Sequence, residues 1–234
     1  MKLNLGCGSC FSPGWINLDL RPGDPAIQNH DLRNPLPFSG ESCSAIYCSH
    51  VLEHLTREDA SALIGECSRV LRAGAIIRVA VPDLETIAGL YLDSVRLATS
   101  GSPAALERHE WATMELIDQM VREQSGGNML PFLDHRMLIE PYVLTRLGPE
   151  AVTAINHMRK NGIGPRKPAN PGERHLWMYD RVSLSRVLSS SGFRNIVVAA
   201  AGESDIPGFA DSTLEIDETG CVRKPDSLFM EAVR

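Results

Sequence analysis

No basic excess marks this chain: 23 Lys and Arg stand against 29 Asp and Glu, a formal net charge of -6 over 234 residues. A surface that grips a phosphate backbone normally shows as a basic surplus or a basic face, so no nucleic-acid partner is expected. Arg159, Lys160, Arg166 and Lys167 do cluster, but a short charge run of this kind reads as solvated chain. Cysteines are few and irregular: Cys7, Cys10, Cys43, Cys48, Cys67 and Cys221 make no disulfide framework. Cys7 and Cys10 form a C-x-x-C with no second pair at zinc spacing, so no metal is expected. Long apolar runs are missing too, since "AIIRVAV" is cut by Arg78 and falls well short of the roughly 20 residues of a membrane helix. No apolar stretch precedes "LNLGC", so it does not read as a signal peptide. A cytoplasmic protein with no membrane partner is the expectation.

What is present is an ordinary globular composition, 43% hydrophobic and 22% charged, enough for a sizeable core. Leu3 and Leu5 alternate around Asn4, and Gly6 and Gly8 follow; Ile16, Leu18 and Leu20 alternate again around Asn17 and Asp19. This spacing predicts two strands around a tight glycine turn. Ala26–Asp31, Ala45–His50 and Ala75–Asp83 read as three more strands. Between the last two, Ala60, Leu63, Ile64, Cys67, Val70 and Leu71 recur at helical spacing. Thr56 with Asp59 predicts a capping box at the start of that helix, and Gly74 a left-handed cap at its end. Strand, helix and strand in this order predict a βαβ unit and a parallel sheet. Residues 84–174 carry helical stripes broken at Gly126 and Gly127, then a Gly- and Pro-rich loop. "VSLSRVLSSSGF" reads as a helix, "RNIVVAA" and "DSLFMEAV" as strands, and "EIDETGCV" as a small hairpin.

The glycine turn does not meet the dinucleotide pattern. That fingerprint needs G-x-G-x-x-G opening a helix and an acidic residue about 20 positions on; here Phe11 stands at the third glycine and Asp19 comes early. The first crossover must therefore be a loop or a single turn. Bare backbone at Gly6 and Gly8 still lets a ligand come close, and a carboxylate at Asp19 can accept from both hydroxyls of a ribose. The competing account of the same residues is a tight turn with a capping aspartate.

"LNLGCG", "NLDL", "HDLRNPLPF", "SHVLEHL", "VLRAGAIIRVAVPD", "WMYDRVSLSRVLSSSGF" and "RKPDSLFMEA", in this order, resemble the class I S-adenosylmethionine-dependent methyltransferases, and more narrowly their type-11-like group. The resemblance spans both ends of the chain and is weakest over the helical stretch. It implies an α/β fold with a doubly wound, mostly parallel seven-stranded sheet of Rossmann-like type. It further implies one methyltransferase domain over 1–234, carrying a helical insertion or cap over 84–174 after the fifth strand. S-adenosylmethionine is the implied cofactor. Gly6 and Gly8 match its first motif, Asp19 the ribose acceptor, and Asp31 with Leu32 the adenine contacts. Ser49 and His50 match the segment beside the methionine part, and Asn4 and Cys7 are further candidate contacts. The shortened first crossover departs from the wider superfamily and leaves open how the amino-acid tail is held.

Methyl transfer from a sulfonium is an in-line displacement, needing alignment, exclusion of water and, for some acceptors, a base. His50, Glu53 and His54, at or past the fourth strand's end, are the candidates for that base, with His54 foremost. Asp83, His135, His175 and Tyr179 are the candidate acceptor contacts. Two have structural alternatives: Asp83 as a helix cap, and Tyr179 with Trp177 as packing between insertion and sheet. The expected acceptor is a small molecule or saccharide, and a homodimer is compatible with the sequence. Two other functions stay open, a non-catalytic adenosylmethionine- or adenosylhomocysteine-binding protein and an NAD-dependent oxidoreductase.

Overall fold

The computed structural model describes residues 1–134, 138–161 and 172–234. Seven strands form one sheet: β1 (Lys2–Leu5), β2 (Ile16–Asp19), β3 (Ile27–Asn29), β4 (Cys43–Ser49), β5 (Leu71–Pro82), β6 (Arg194–Ala199) and β7 (Ser227–Val233). Their order is β3-β2-β1-β4-β5-β7-β6. All pairings are parallel except those of β7, which runs antiparallel to both β5 and β6. The chain winds outward from β1 on one side and from β4 on the other. Their adjoining ends form the switch point where open α/β sheets bind ligands. The doubly wound, mostly parallel sheet implied by the sequence is what forms.

Helix α1 (Arg57–Val70) is the crossover from β4 to β5. Thr56 caps it, its side chain accepting from Asp59 N at 3.1 Å, but the expected box is not closed, since the Asp59 carboxylate accepts from the Thr56 hydroxyl. Its other end differs from expectation. The helix stops at Val70 with an extended Leu71, and β5 begins at once. Gly74, at φ 78°, instead sits inside β5, where the register against β4 jumps from Cys43–Leu71 to Ala45–Ile76. The left-handed glycine absorbs that irregularity. The first three connections carry no helix, so the short first crossover is real.

Buried on both faces, the central strands read as near-continuous apolar runs. Leu3, Leu5, Ile46, Cys48, Ile77 and Val79 face α1 and α6 (Arg181–Ser190), whose Leu63, Ile64, Leu184 and Leu188 complete that core. On the opposite face Ala45 and Tyr47 pack against Trp15, Ile206, Phe209 and Leu214. Residues between β6 and β7 thus cover a face that a crossover helix covers in a fully wound sheet. The hairpin expected in this stretch is present as the antiparallel Ile216–Val222 bridge.

Arg78, in the middle of β5, is wholly buried on this second face. Its Nε and Nη2 donate to Glu215 at 2.6 and 2.7 Å, and Nη1 to Glu231 at 3.0 Å. Nη1 and Nη2 also donate to the carbonyls of Glu203 and Ala200, both at 2.7 Å. All five guanidinium donors are used, and the rings of Phe209 and Phe229 stack on the group. The residue that interrupts the apolar run is the pin fixing segment 200–215 to the sheet.

Between β5 and α6 the described residues form helices only: α2 (Leu84–Ala98), α3 (Pro103–Val121), α4 (Met129–Asp134) and α5 (Glu140–Asn161), the last kinked at Gly148. The short α4 is not foreseen from the sequence. Trp111, Met114, Leu133, Ile139 and Val143 make a core of their own. Of the loop expected over 161–173, residues 162–171 lie outside the described residues. No described helix is long and apolar enough to cross a membrane.

Breaking a buried ion pair from one side costs about 3–5 kcal/mol. Arg78→Met, which strands two buried carboxylates, should lower unfolding stability by that amount in urea titration; a change under 1 kcal/mol would show that the pin contributes nothing.

Candidate active site

Gly6 closes β1 at φ 63°, a conformation that costs other residues about 1–2 kcal/mol. A Cβ there would lie 2.3 Å from Val51 Cγ2 and 3.7 Å from Leu32 Cδ1. The backbone of this turn is therefore pressed against the segment after β4, with no room for a side chain. Gly8, at φ 53°, has open space around it. Its N–H donates to Asp19 Oδ2 at 2.8 Å, and Arg21 N donates to Oδ1 at 2.8 Å. Asp19 thereby ties the turn to the end of β2 while each oxygen keeps a lone pair for a further donor.

A cleft of about 290 Å³ opens at this edge, lined by Gly6, Asp19, Asp31, Leu32, His50 and His54, with Leu20, Arg21, His30, Arg33, Val51, Leu55 and Gly172 completing it. Arg33 already holds both oxygens of Asp31, through Nε at 2.9 and 3.1 Å and Nη2 at 2.5 Å. Those hydrogen bonds draw the Asp31 carboxyl down to about 2. Leu32 is buried and offers an apolar wall. The pairing partner Arg33 was not singled out in the sequence, although its place two residues after Asp31 is the signal.

On the other side of Gly6 lies a smaller cavity of about 40 Å³, lined by Asn4, Cys7, Cys10, Tyr47, Ser49, Arg223 and Lys224 among others. Asn4 is buried and its amide nitrogen donates to Cys10 O and to Asn17 Oδ1, at 3.1 and 2.9 Å. It braces the turn from behind. Burial, then the charge of Asp19, pushes the Cys7 thiol up to about 11, so Cys7 is no thiolate at neutral pH. Arg223 and Lys224 belong to "RKPDSLF", where two adjacent cations in an acidic chain were the available signal.

Past β4 the chain turns through His50 at φ 52°, unusual for a side chain other than glycine. His50 Nε2 lies 2.8 Å from Ser227 Oγ and Nδ1 3.2 Å from Glu53 Oε1. Glu53 is wholly buried, and neither carboxylate oxygen has a well-aligned hydrogen-bond partner among the described residues. Burial pushes its carboxyl up, but His50, His54 and His175 together outweigh that and hold it low. His54 Nδ1 lies 2.9 Å from Arg174 O, and its ring packs edge-on to His175 at 5.0 Å. Burial pushes His175 down to about 4.

The acceptor-side candidates fall in different places. Asp83 caps α2, accepting from Glu85 N at 3.1 Å and from Thr86 Oγ1 at 2.5 Å. Tyr179 is buried in the main core and bridges to Asp83; Trp177 is half exposed under Arg57. His175 sits behind His54 and does not line the cleft. His135, with Arg136, lies outside the described residues.

Residues 3–79, about a third of the chain, match the family model of a methyltransferase domain. The matched stretch runs from β1 through α1 into β5, the part of the sheet that carries the cleft. Similar solved structures include an S-adenosylmethionine-dependent methyltransferase from Archaeoglobus fulgidus, at 12% identity and a TM-score of 0.44 over 100% of this chain and 85% of that one. Another, from Methanosarcina mazei, has 12% identity and a TM-score of 0.44 over 100% and 91%. The magnesium protoporphyrin IX methyltransferase of Synechocystis, with bound adenosylhomocysteine, has 13% identity and a TM-score of 0.40 over 100% and 74%. No curated protein sequence matches the chain.

Gly6→Ala should cost clearly more stability than Gly8→Ala, because only the first adds a clash to the backbone penalty. Urea midpoints measure this; equal losses would mean that Val51 yields freely and that the turn is not close-packed.

Proposed function

We propose that the chain transfers the methyl group of S-adenosylmethionine to a small-molecule or saccharide acceptor, with the cofactor lying across Gly6. The observation that carries this reading is the cleft itself: a side-chain-free turn faces two carboxylates, Asp19 and Asp31, and an apolar wall at Leu32. Adenosine has that complement, two vicinal hydroxyls, an amino group and a flat ring. Asp19 accepts from the ribose hydroxyls, and Leu32 packs on the adenine. Asp31 accepts from the adenine amino group, weakly because Arg33 already holds both its oxygens.

The smaller cavity beyond Gly6 then receives the amino-acid tail, with Ser49 beside it and the Arg223–Lys224 pair opposite its carboxylate. Cys7 contributes a neutral wall there, and Asn4 acts through the turn it braces. The bound cofactor supplies an electrophilic methyl group. The chain's own part is to align an acceptor at the cleft and to exclude water. Where the acceptor has a proton to lose, His54 takes it, one of two part-exposed rings lining the cleft; the other, His50, is engaged by Ser227 and the buried Glu53. Asp83 and Tyr179 shape the same edge through the helix start they join, and His175 supports His54.

The helices over 84–174 are read as an insertion capping one methyltransferase domain of 1–234, since they have a core of their own and rejoin the sheet at the cleft edge. Leu176 N and Trp177 N both donate to Glu53 O there, at 2.6 and 3.2 Å. A cytoplasmic place and a homodimeric state complete the proposal.

Mass spectrometry of small molecules released on denaturing the purified protein tests the reading. Adenosylmethionine or adenosylhomocysteine is expected, whereas a nicotinamide dinucleotide would overturn it. Retention of the cofactor with no methylation across glycan and metabolite panels would instead favour a binding protein. Asp19→Ala should weaken adenosylhomocysteine binding by about 10- to 150-fold in calorimetry, the worth of a charged hydrogen bond of about 1.5–3 kcal/mol. An unchanged affinity would remove Asp19 from the site.

A further inference from the structure

Deep beside the cleft, three potential ligand groups converge. One ring nitrogen each from His54 and His175 and one carboxylate oxygen of Glu53 all lie within 4.8 Å of one another. We propose that Glu53, His54 and His175 form a binding site for a divalent transition cation of the zinc type.

The argument begins with an imbalance of hydrogen-bond partners. A backbone carbonyl can only accept, so the 2.9 Å contact from His54 to Arg174 O puts the proton on Nδ1. In the neutral ring Nε2 then carries a lone pair, and it faces Glu53 Oε1 at 3.9 Å. Lone pair against carboxylate oxygen is repulsive unless something positive lies between them. Glu53 sharpens the conflict, being wholly buried with neither oxygen given a well-aligned hydrogen bond among the described residues, the His50 ring standing 3.2 Å from Oε1. An uncompensated buried charge is among the most costly features a fold can carry. The Arg78 cluster, elsewhere in the same molecule, shows how completely this chain satisfies such a charge when no ligand is needed.

A cation removes both problems at once. Two imidazoles and a carboxylate suit zinc and its first-row neighbours, and three protein ligands leave a position for water or a substrate oxygen; a His54 so ligated has no free nitrogen, so it serves as base only while the cation is absent. Ligand-to-metal distances of about 2.0–2.2 Å bring donors closer than they stand here, a contraction that side-chain torsions supply. The surroundings already have the form of an outer ligand shell. His54 donates its other ring nitrogen to a carbonyl, the commonest way of fixing a metal-bound histidine. His50 Nδ1 lies 3.2 Å from Glu53 and its Nε2 2.8 Å from Ser227 Oγ, so a second ring orients the carboxylate. The backbone holds the site together as well. Leu176 N and Trp177 N both donate to Glu53 O, and His175 N donates to Gln119 O at 2.9 Å. Residue 53 and residue 175 come from distant parts of the chain and are fastened at this one point. The alternative occupant of the gap is a proton, giving a His54 imidazolium paired with Glu53.

The test uses the full chain freed of metal by a chelator, dialysed to equilibrium against Zn2+ and titrated with Co2+ in visible light. One ion per chain is expected, with a cobalt spectrum of low coordination number and no thiolate charge-transfer band. His54→Ala and Glu53→Gln should each weaken binding by more than about 100-fold, since even an outer-shell partner of a metal ligand is worth about 10- to 100-fold. His54 is partly exposed, so its variant should keep the wild-type circular dichroism, and Zn2+ should raise the Tm of the wild type alone. Absence of binding to the wild type, wild-type affinity in the His54 variant, or a thiolate band pointing to Cys7 and Cys10 would each overturn the site and leave the imidazolium pair. None of these outcomes bears on adenosylmethionine binding, which is read from released cofactor.

Discussion

The hydrogen bond from Gly8 N to Asp19 Oδ2 joins the two features on which the ligand edge depends, the bare turn after β1 and the carboxylate at the end of β2. Without a helix in the first crossover, this bond and the one from Cys7 N to Leu18 O, at 3.1 Å, tie the turn to β2. Asn4 and Asn17, paired at 2.9 Å beneath the turn, provide the second fastening. Gly6 is pressed so close to Val51 that only main chain fits. A turn held this way presents backbone to a ligand without first having to reorganise, and preorganisation of this kind lowers the entropic cost of binding.

Two buried charges show how differently the chain treats structure and site. Arg78 meets two carboxylates, two carbonyls and two aromatic faces, and anchors the segment that replaces a crossover helix. Glu53 is just as buried, yet histidines approach it without completing its hydrogen bonds. Complete satisfaction marks a structural network. Incomplete satisfaction at the edge of the cleft marks a place built for something the chain itself does not supply.

Much of the architecture was legible because local signals and burial agree. The alternation around Asn4 and Asn17 and the helical stripe from Ala60 to Val70 fold as their periods predict. Asp19, Asp31, Leu32, His50 and His54 come together at one cleft. Long-range partners were not legible. Glu215 lies 137 residues from Arg78, and His175 is 121 from His54, distances at which no period or spacing carries a signal. Gly74 misled for a related reason: its left-handed backbone serves a register jump in β5, which depends on the pairing with β4 and not on the helix before it. Asp83 could be read as cap or ligand, and only the fold separates these, since its carboxylate is turned to Glu85 and Thr86.

The central claim is that adenosine lies over the main chain of the β1 turn between Asp19 and Asp31. Backbone amide NMR during titration with adenosylhomocysteine tests it residue by residue. The account predicts saturable shifts concentrated at Gly6, Cys7, Gly8, Arg21, Leu32 and Arg33. Shifts confined to residues 200–226, or saturable binding that leaves the Gly6–Gly8 amides unmoved, would contradict it.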